Sequence, residues 1–174
     1  NAVEIRKNCI SFIKKNFKKI EIKKNLNSFT QKFDVITMFH VLEHIPFQVN
    51  TLRILKNKLK KNGKIIIEVP HAKDFLLGID PLDEFKNFTL WSEHLILHTE
   101  KSLEKVLKYS GFKKINIIYF QRYGLANHMG WIIKRKPGGH EYFKHAFSTR
   151  DNDEYIQKLI SNRKTDTLIA IASN

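Results

Sequence analysis

The chain has 174 residues, 42% of them hydrophobic, which suits one domain with a core of ordinary size. No apolar run approaches the roughly 20 residues needed to cross a bilayer, Asn1-Ala2-Val3-Glu4 opens no targeting segment, and the lone Cys9 can form no intrachain disulfide, so the expectation is a cytoplasmic chain without membrane insertion. With 31 basic and 17 acidic residues the net charge is +14, which draws anions; yet lysine supplies most of it and no stripe of arginine interleaved with aromatics is present, so nucleic acid is disfavoured as a partner.

In chain order, the spacing of Ala2, Cys9, Ile10, Ile13 and Phe17 predicts a helix over residues 1–17, with Asn1 as its cap and Glu4 three residues on. A short strand around Ile20 and Ile22 follows, then the turn-prone Asn25-Leu26-Asn27-Ser28. Phe33 to Phe39 is a nearly continuous apolar run, as expected of a strand covered on both faces. Pro46 suits the first turn of a helix with Val49, Leu52, Leu55 and Leu59 inward, ended by Gly63. Lys64 to Val69 is a second buried strand stopped by Pro70. Thr99 caps a helix that ends at Gly111, and a third strand runs from about Lys113 to Phe120. Thr165 to Ala172 is a last strand placed to pair antiparallel with the third.

This alternation predicts an α/β domain on a mostly parallel sheet. The connections 70–98 and 121–164 exceed the usual length, which favours a binding role for both, and the second carries a helix over 151–163. Ligands of such a sheet bind beyond the carboxyl ends of its strands. His40, Glu43 and His44 leave one strand end, His71 and Lys73 another, and Asn25 and Asn27 a third.

His40-Val41-Leu42-Glu43-His44 matches H-x-x-E-H, a zinc-protease pattern that needs one uninterrupted helix through both histidines. A strand feeding into His40 and a proline two residues past His44 break that helix, so a zinc hydrolase is disfavoured and no metal is expected.

The block Phe33 to Ile45, continued by Leu52-Arg53, Leu59 to Gly63, Ile65 to Pro70, Glu93-His94 and Ser110-Gly111-Phe112, resembles the central part of class I S-adenosylmethionine-dependent methyltransferases. The resemblance implies a Rossmann-like sheet of strand order 3-2-1-4-5-7-6 with S-adenosylmethionine over its carboxyl edge. It implies that Asn25, Leu26, Phe39, His40 and Val41 flank the cofactor. It also implies that Glu43 and His44 lie on the methyl-transfer side.

His44, His71 and His94 are the candidate bases or positioning groups, since histidine titrates near neutral pH. Arg135, Lys136, Gly138, Gly139 and His140 combine cations with consecutive glycines, a composition suited to an anion nest, and with Glu43 form the candidate substrate set. That stretch resembles segments of methyltransferases of bacterial surface-sugar assembly, which implies a small, anionic acceptor such as a sugar or phosphorylated glycan precursor. An RNA methyltransferase and a non-catalytic methyltransferase-like binding module remain as alternatives.

The family's acidic-G-x-G loop has no counterpart, the first glycine being Gly63, and no acidic residue is read at the end of a second strand. The reading is therefore of one incomplete domain over 1–174 that lacks the first two strands. Its insertions at 70–98 and 121–164 form the acceptor side. The split sheet leads to the expectation of upstream residues outside this numbering, or of strands borrowed from another chain in a homo-oligomer.

Overall fold

A computed structural model describes residues 1–174. The strands are β1 (Ala2–Val3), β2 (Ile22–Lys23), β3 (Phe33–Phe39), β4 (Leu59–Pro70), β5 (Lys114–Phe120) and β6 (Thr167–Ser173). The helices are α1 (Lys7–Asn16), α2 (Gln48–Asn57), α3 (Asp83–Thr89), α4 (Glu100–Tyr109), α5 (Leu125–Lys134), α6 (Gly139–Tyr142) and α7 (Thr149–Ser161). No helix is long and apolar enough to cross a membrane.

Two sheets form. β1 and β2 pair in parallel, and the larger sheet has the order β3-β4-β6-β5, with β3 parallel to β4 and β6 antiparallel to both β4 and β5. The predicted strands of the larger sheet are all present, and the last one returns antiparallel as expected.

The core lies on one face. Right-handed crossovers that advance in one direction across a sheet leave their helices on the same side, and α2 and α4 both do so. Leu52 and Leu55 of α2 and Leu103 and Leu107 of α4 pack on Ile65, Ile67 and Val69 of β4 and on Leu168, Ala170 and Ala172 of β6. The opposite face leaves Val35, Phe39, Ile118 and Phe120 exposed, so the expectation of a β3 covered on both faces does not hold.

Two further expectations change. The first residues are not helical: Ala2–Val3 pairs with Ile22–Lys23, and α1 starts at Lys7. Gly63 does not end a helix. α2 stops at Asn57, and β4 already begins at Leu59, where Phe33↔Leu59 pairing shifts register before Val35↔Lys64. A β-carbon on Gly63 would stand 2.8 Å from the Phe33 carbonyl oxygen, so the irregularity needs a residue without one.

The long connections are structured. Leu76, Leu82 and Phe85 join Trp131 of α5 in a second, smaller core above the carboxyl edge of the large sheet. The peptide before Pro81 is cis.

Gly63→Ala is expected to destabilise the protein by about 1 to 3 kcal/mol through overpacking, whereas Gly78→Ala, whose new methyl meets nothing within 4 Å, should change stability by no more than about 1 kcal/mol. Denaturant midpoints of the two variants test this. Equal effects would refute the close-approach role of Gly63.

Candidate active site

Strand register brings the polar ends together. Phe39 lies opposite Glu68, and Thr167 lies opposite both Pro70 and Phe120, so His40, Glu68, Arg122 and Asp166 converge at one edge. His40 has φ 51°, in the left-handed region a non-glycine residue seldom adopts. Two contacts hold it there. Its amide donates to the Glu68 carbonyl at 3.0 Å, and its Nε2 lies 2.9 Å from Glu68 Oε1.

The Arg122 guanidinium contacts the same His40 Nε2 and stands 3.6 Å from Glu68. The Glu43 carboxylate, with Oε1 3.3 Å from His40 Nδ1, raises the imidazole pKa above its ordinary value, against desolvation and Arg122. The Arg122 and Tyr123 amides both donate to Asp166 at 3.1 Å, yet burial dominates and raises the Asp166 pKa.

Above this edge opens a cleft of about 760 Å³. Its walls are aromatic: Phe85 and Phe88 each stand 5.1 Å from the Trp131 ring, with Trp91 and Tyr123 nearby. Its polar lining includes His40, Asp74, His94, Arg122, His128, His140 and Asp166.

Within the lining, His128 Nδ1 meets the Tyr155 hydroxyl at 2.7 Å, and its Nε2 lies 3.1 Å from Gln121 Nε2, which donates at 2.7 and 2.8 Å to the Tyr123 carbonyl and to Asp166. Burial pushes the His128 pKa down to about 4 and the Asp74 pKa up to about 7. Tyr155 is pushed upward, first by burial and then by Asp74.

A separate apolar groove of about 450 Å³ runs between the two sheets, lined by Ala2, Val3, Leu26, Val35, Val41 and Ile45 among others. Glu4 follows β1 directly at its carboxyl end. Its Oε1 accepts from the Ile5 and Arg6 amides at 2.9 Å, and the Arg6 contact keeps its pKa low. An acidic residue therefore does end a strand at this edge, contrary to the sequence reading, which had placed Glu4 in a helix.

The predicted site residues divide among these places. His40, His94, Gly138 and His140 line the cleft, while Leu26 and Val41 line the groove. Asn25 caps a turn by accepting from the Asn27 amide at 2.9 Å, and Phe39 is exposed on the open face of β3. Glu43 and His44 sit in a 3-10 turn, Leu42–His44, beside His94.

His71 does not reach the cleft. It is buried, bonds Thr165 O through Nδ1 at 2.9 Å, bridges to His98, and has its pKa lowered by burial. Arg135 and Lys136 are engaged elsewhere: Arg135 donates to the Pro81 carbonyl, and the Lys136 ammonium lies 5.1 Å from the Tyr142 ring centre. Gly139 is buried against α5, where a β-carbon would come 2.8 Å from Gly130 Cα, so it serves helix packing.

Sequence reasoning missed Glu4, Glu68, Asp74, Arg122 and Asp166. Only Glu4 carried a local signal, as the polar residue directly after a short apolar pair.

A family model described as a methyltransferase domain matches residues 2–117, more than half of the chain. No curated protein sequence matches. Among solved structures, the chain is similar to an S-adenosylmethionine-dependent methyltransferase from Archaeoglobus fulgidus, at 20% identity and TM-score 0.59, covering 99% of this chain and 74% of that one. A possible histamine N-methyltransferase from Thermotoga maritima gives 14% identity and TM-score 0.60, covering 98% and 70%. Phosphoethanolamine N-methyltransferase 2 from Haemonchus contortus, solved with S-adenosyl-L-methionine, gives 16% identity and TM-score 0.52, covering 95% of this chain and 40% of its own.

The residues present fit the nucleoside half of that cofactor. A carboxylate ends β1, and Leu26 and Val41 give the neighbouring groove apolar walls. The glycine loop expected around the methionyl half has no counterpart in residues 1–174.

The two shifted groups have opposite linkage. His128, neutral in the folded state down to about 4 against an ordinary 6.5, contributes stability present above 6.5 and lost as pH falls toward 4. Asp74, protonated up to about 7 against 3.8, contributes stability present below 3.8 and lost as pH rises toward 7. Between about pH 4 and 6.5 the two slopes oppose each other. Asp74→Asn should therefore make stability climb more steeply with pH there than in the wild type, and His128→Asn should do the reverse. Thermal midpoints across that window, with Asp166, Tyr155 and Arg122 unchanged, decide it.

Proposed function

Because the chain belongs to the methyltransferase family, we propose that it transfers the methyl group of S-adenosylmethionine to a small acceptor seated in the aromatic cleft. The observation that carries this reading is the cleft itself. At about 760 Å³ it has the size of a small-molecule site, beyond the carboxyl ends of the strands where α/β sheets bind ligands. Two of the similar structures are described as methyltransferases of small amines, one of them as a possible one, which supports a small acceptor.

Bound S-adenosylmethionine supplies an electrophilic methyl group, so the protein's task is alignment and, for a protonated acceptor, removal of a proton. Glu4, at the end of β1, would accept hydrogen bonds from the ribose hydroxyls, and Leu26 and Val41 would flank the adenine. His40 stands between that groove and the cleft, its ring held by Glu68. Asp74 is the general base. Its carboxyl lines the cleft, and a pKa of about 7 leaves it able to take a proton at neutral pH.

The acceptor is a sugar or a phosphorylated glycan precursor. A pyranose offers apolar C–H faces to Phe88, Trp91 and Trp131 and a rim of hydroxyls to the imidazoles and carboxylates. Arg122, rather than Arg135 and Lys136, is the cation on the cleft wall that would meet a phosphate, and the His140 imidazole is a further polar group of that wall.

Glu4→Gln should weaken S-adenosylmethionine binding by about 10- to 100-fold, the loss of charged hydrogen bonds worth about 1.5 to 3 kcal/mol, as read by titration calorimetry on the protein. An unchanged dissociation constant would remove Glu4 from the cofactor site. Trp91→Ala should raise the KM of a sugar acceptor by about 10-fold or more, a stacking loss of roughly 1.4 kcal/mol, with donor affinity unchanged. Methylation of RNA but of no sugar in a substrate panel would overturn the acceptor assignment.

A further inference from the structure

We propose that Glu43, His44 and His94 form a binding site for a divalent transition-metal ion of zinc-like character, at the side of the acceptor cleft. The Glu43 carboxylate is fully buried, and neither of its oxygens has a hydrogen-bond partner. Leaving a buried carboxylate unpaired is among the costliest arrangements a fold can contain. His40 does not satisfy it. Its Nδ1 comes within 3.3 Å of Oε1 but out of hydrogen-bond alignment, and its other nitrogen is shared between Glu68 and Arg122.

The neighbouring histidines are arranged as ligands rather than as hydrogen-bond donors. His44 Nδ1 bonds the Glu93 carbonyl at 2.7 Å, and His94 Nδ1 bonds the Thr89 carbonyl at 2.7 Å. A carbonyl oxygen only accepts, so both Nδ1 atoms carry the hydrogen and both Nε2 atoms present lone pairs. Tying one ring nitrogen to a backbone carbonyl so that the other can bind is the usual outer support of metal-ligating histidines.

His44 Nε2 lies 3.8 Å from Glu43 Oε1, and one ligand atom from each of the three residues lies within 4.8 Å of the others. Ligand atoms of a tetrahedral zinc stand roughly 3.4 Å apart, given bonds of about 2.0 to 2.2 Å, so side-chain adjustments of about an ångström close the site. Main-chain bonds already hold the parts together: the Leu95 and Ile96 amides donate to the Glu43 carbonyl at 2.9 and 3.3 Å, which docks the 91–96 segment on the 3-10 turn.

Two imidazoles and one carboxylate select zinc, cobalt or manganese over magnesium or calcium, which prefer all-oxygen sets. Three protein ligands leave a coordination position open. Since His94 also lines the cleft, that position is available to an oxygen of the acceptor, and to this extent the inference rests on the proposed function.

The test uses the chelator-dialysed protein with Co²⁺ and no donor or acceptor present, so its result is independent of whether methyl transfer occurs. Titration should give one equivalent with the visible d–d absorption of a low-coordinate nitrogen–oxygen site. Glu43→Gln and His94→Ala should each weaken binding by about 100-fold or more, while His145→Ala, at an exposed histidine, should leave it unchanged. Metal should raise the thermal midpoint of the wild type and of His145→Ala, but not of Glu43→Gln or His94→Ala. Without metal, Glu43→Gln should be at least as stable as the wild type, because it removes an unpaired charge. Failure to bind one equivalent, or binding that survives both ligand substitutions, would overturn the site.

Discussion

The register of β4 against its two partners is the constraint on which the rest of the molecule depends. Ile65, Ile67 and Val69 are fully buried under α2 and α4, and because side chains alternate, Ile66, Glu68 and Pro70 must take the other face. A slip of one residue would bury Glu68 and expose the isoleucines. Holding Ile65 in the core therefore also holds Glu68 opposite Phe39, one residue short of His40, and Pro70 opposite Thr167, one residue past Asp166. Apolar burial thereby fixes the polar edge.

That edge concentrates the groups that are costly to fold. Asp74, His128, Glu43 and Asp166 are buried or nearly so, and desolvation displaces the pKa values of Asp74, His128 and Asp166, while the main core between the sheet and its helices is built from leucine, isoleucine, valine and alanine side chains with Met38 and Phe112. Within the cleft lining, partners offset part of the cost: Leu76 N donates to Asp74, the Arg122 and Tyr123 amides to Asp166, and Tyr155 meets His128. Glu43 accepts no hydrogen bond, and its nearest partner is the His40 imidazole at 3.3 Å. Strain and unpaired charge thus gather at the strand ends, where function needs preorganised polar groups and the core can stabilise them.

Much of the fold was legible in the sequence, for identifiable reasons. Phe33–Phe39 and Ile65–Val69 are apolar runs too continuous to be anything but strands, and Thr99 with Ser102 makes a capping box that starts α4. Ala2–Val3 was illegible because two residues carry no period, and a helical spacing through Ile13 absorbed them. Losing that strand also hid Glu4. Gly63 misled because a glycine after a helical pattern usually ends the helix, whereas here it admits a close backbone approach inside β4. Asp74, Arg122 and Asp166 are brought together across some 90 residues by the β4-β6-β5 pairing, so no local pattern could announce them. The Arg135–His140 stretch shows the opposite error. Its composition suited an anion nest, but Gly139 packs against Gly130 and Lys136 lies over Tyr142, leaving Pro137, Gly138 and His140 at the cleft.

The two concavities meet at a single backbone feature. Val41 lines the apolar groove and His40 the aromatic cleft, and the left-handed turn at His40 directs these adjacent side chains to opposite sides of the end of β3. An extended His40 would continue the alternation of β3 and carry the chain away from the edge instead of into the Leu42–His44 turn. That turn is pinned from behind, where Gln48 donates to the Leu42 carbonyl at 2.8 Å and is itself held by His98. Methyl transfer is an in-line displacement, and displacing a reacting atom by an ångström can cost about two orders of magnitude in rate. A donor on the Val41 side and an acceptor on the His40 side would share one rigid boundary, set by a strained residue and a buried histidine–glutamine pair that touch neither reactant. Gln48 and His98 would thereby act on that alignment through the turn they hold, since neither lines the cleft or the groove.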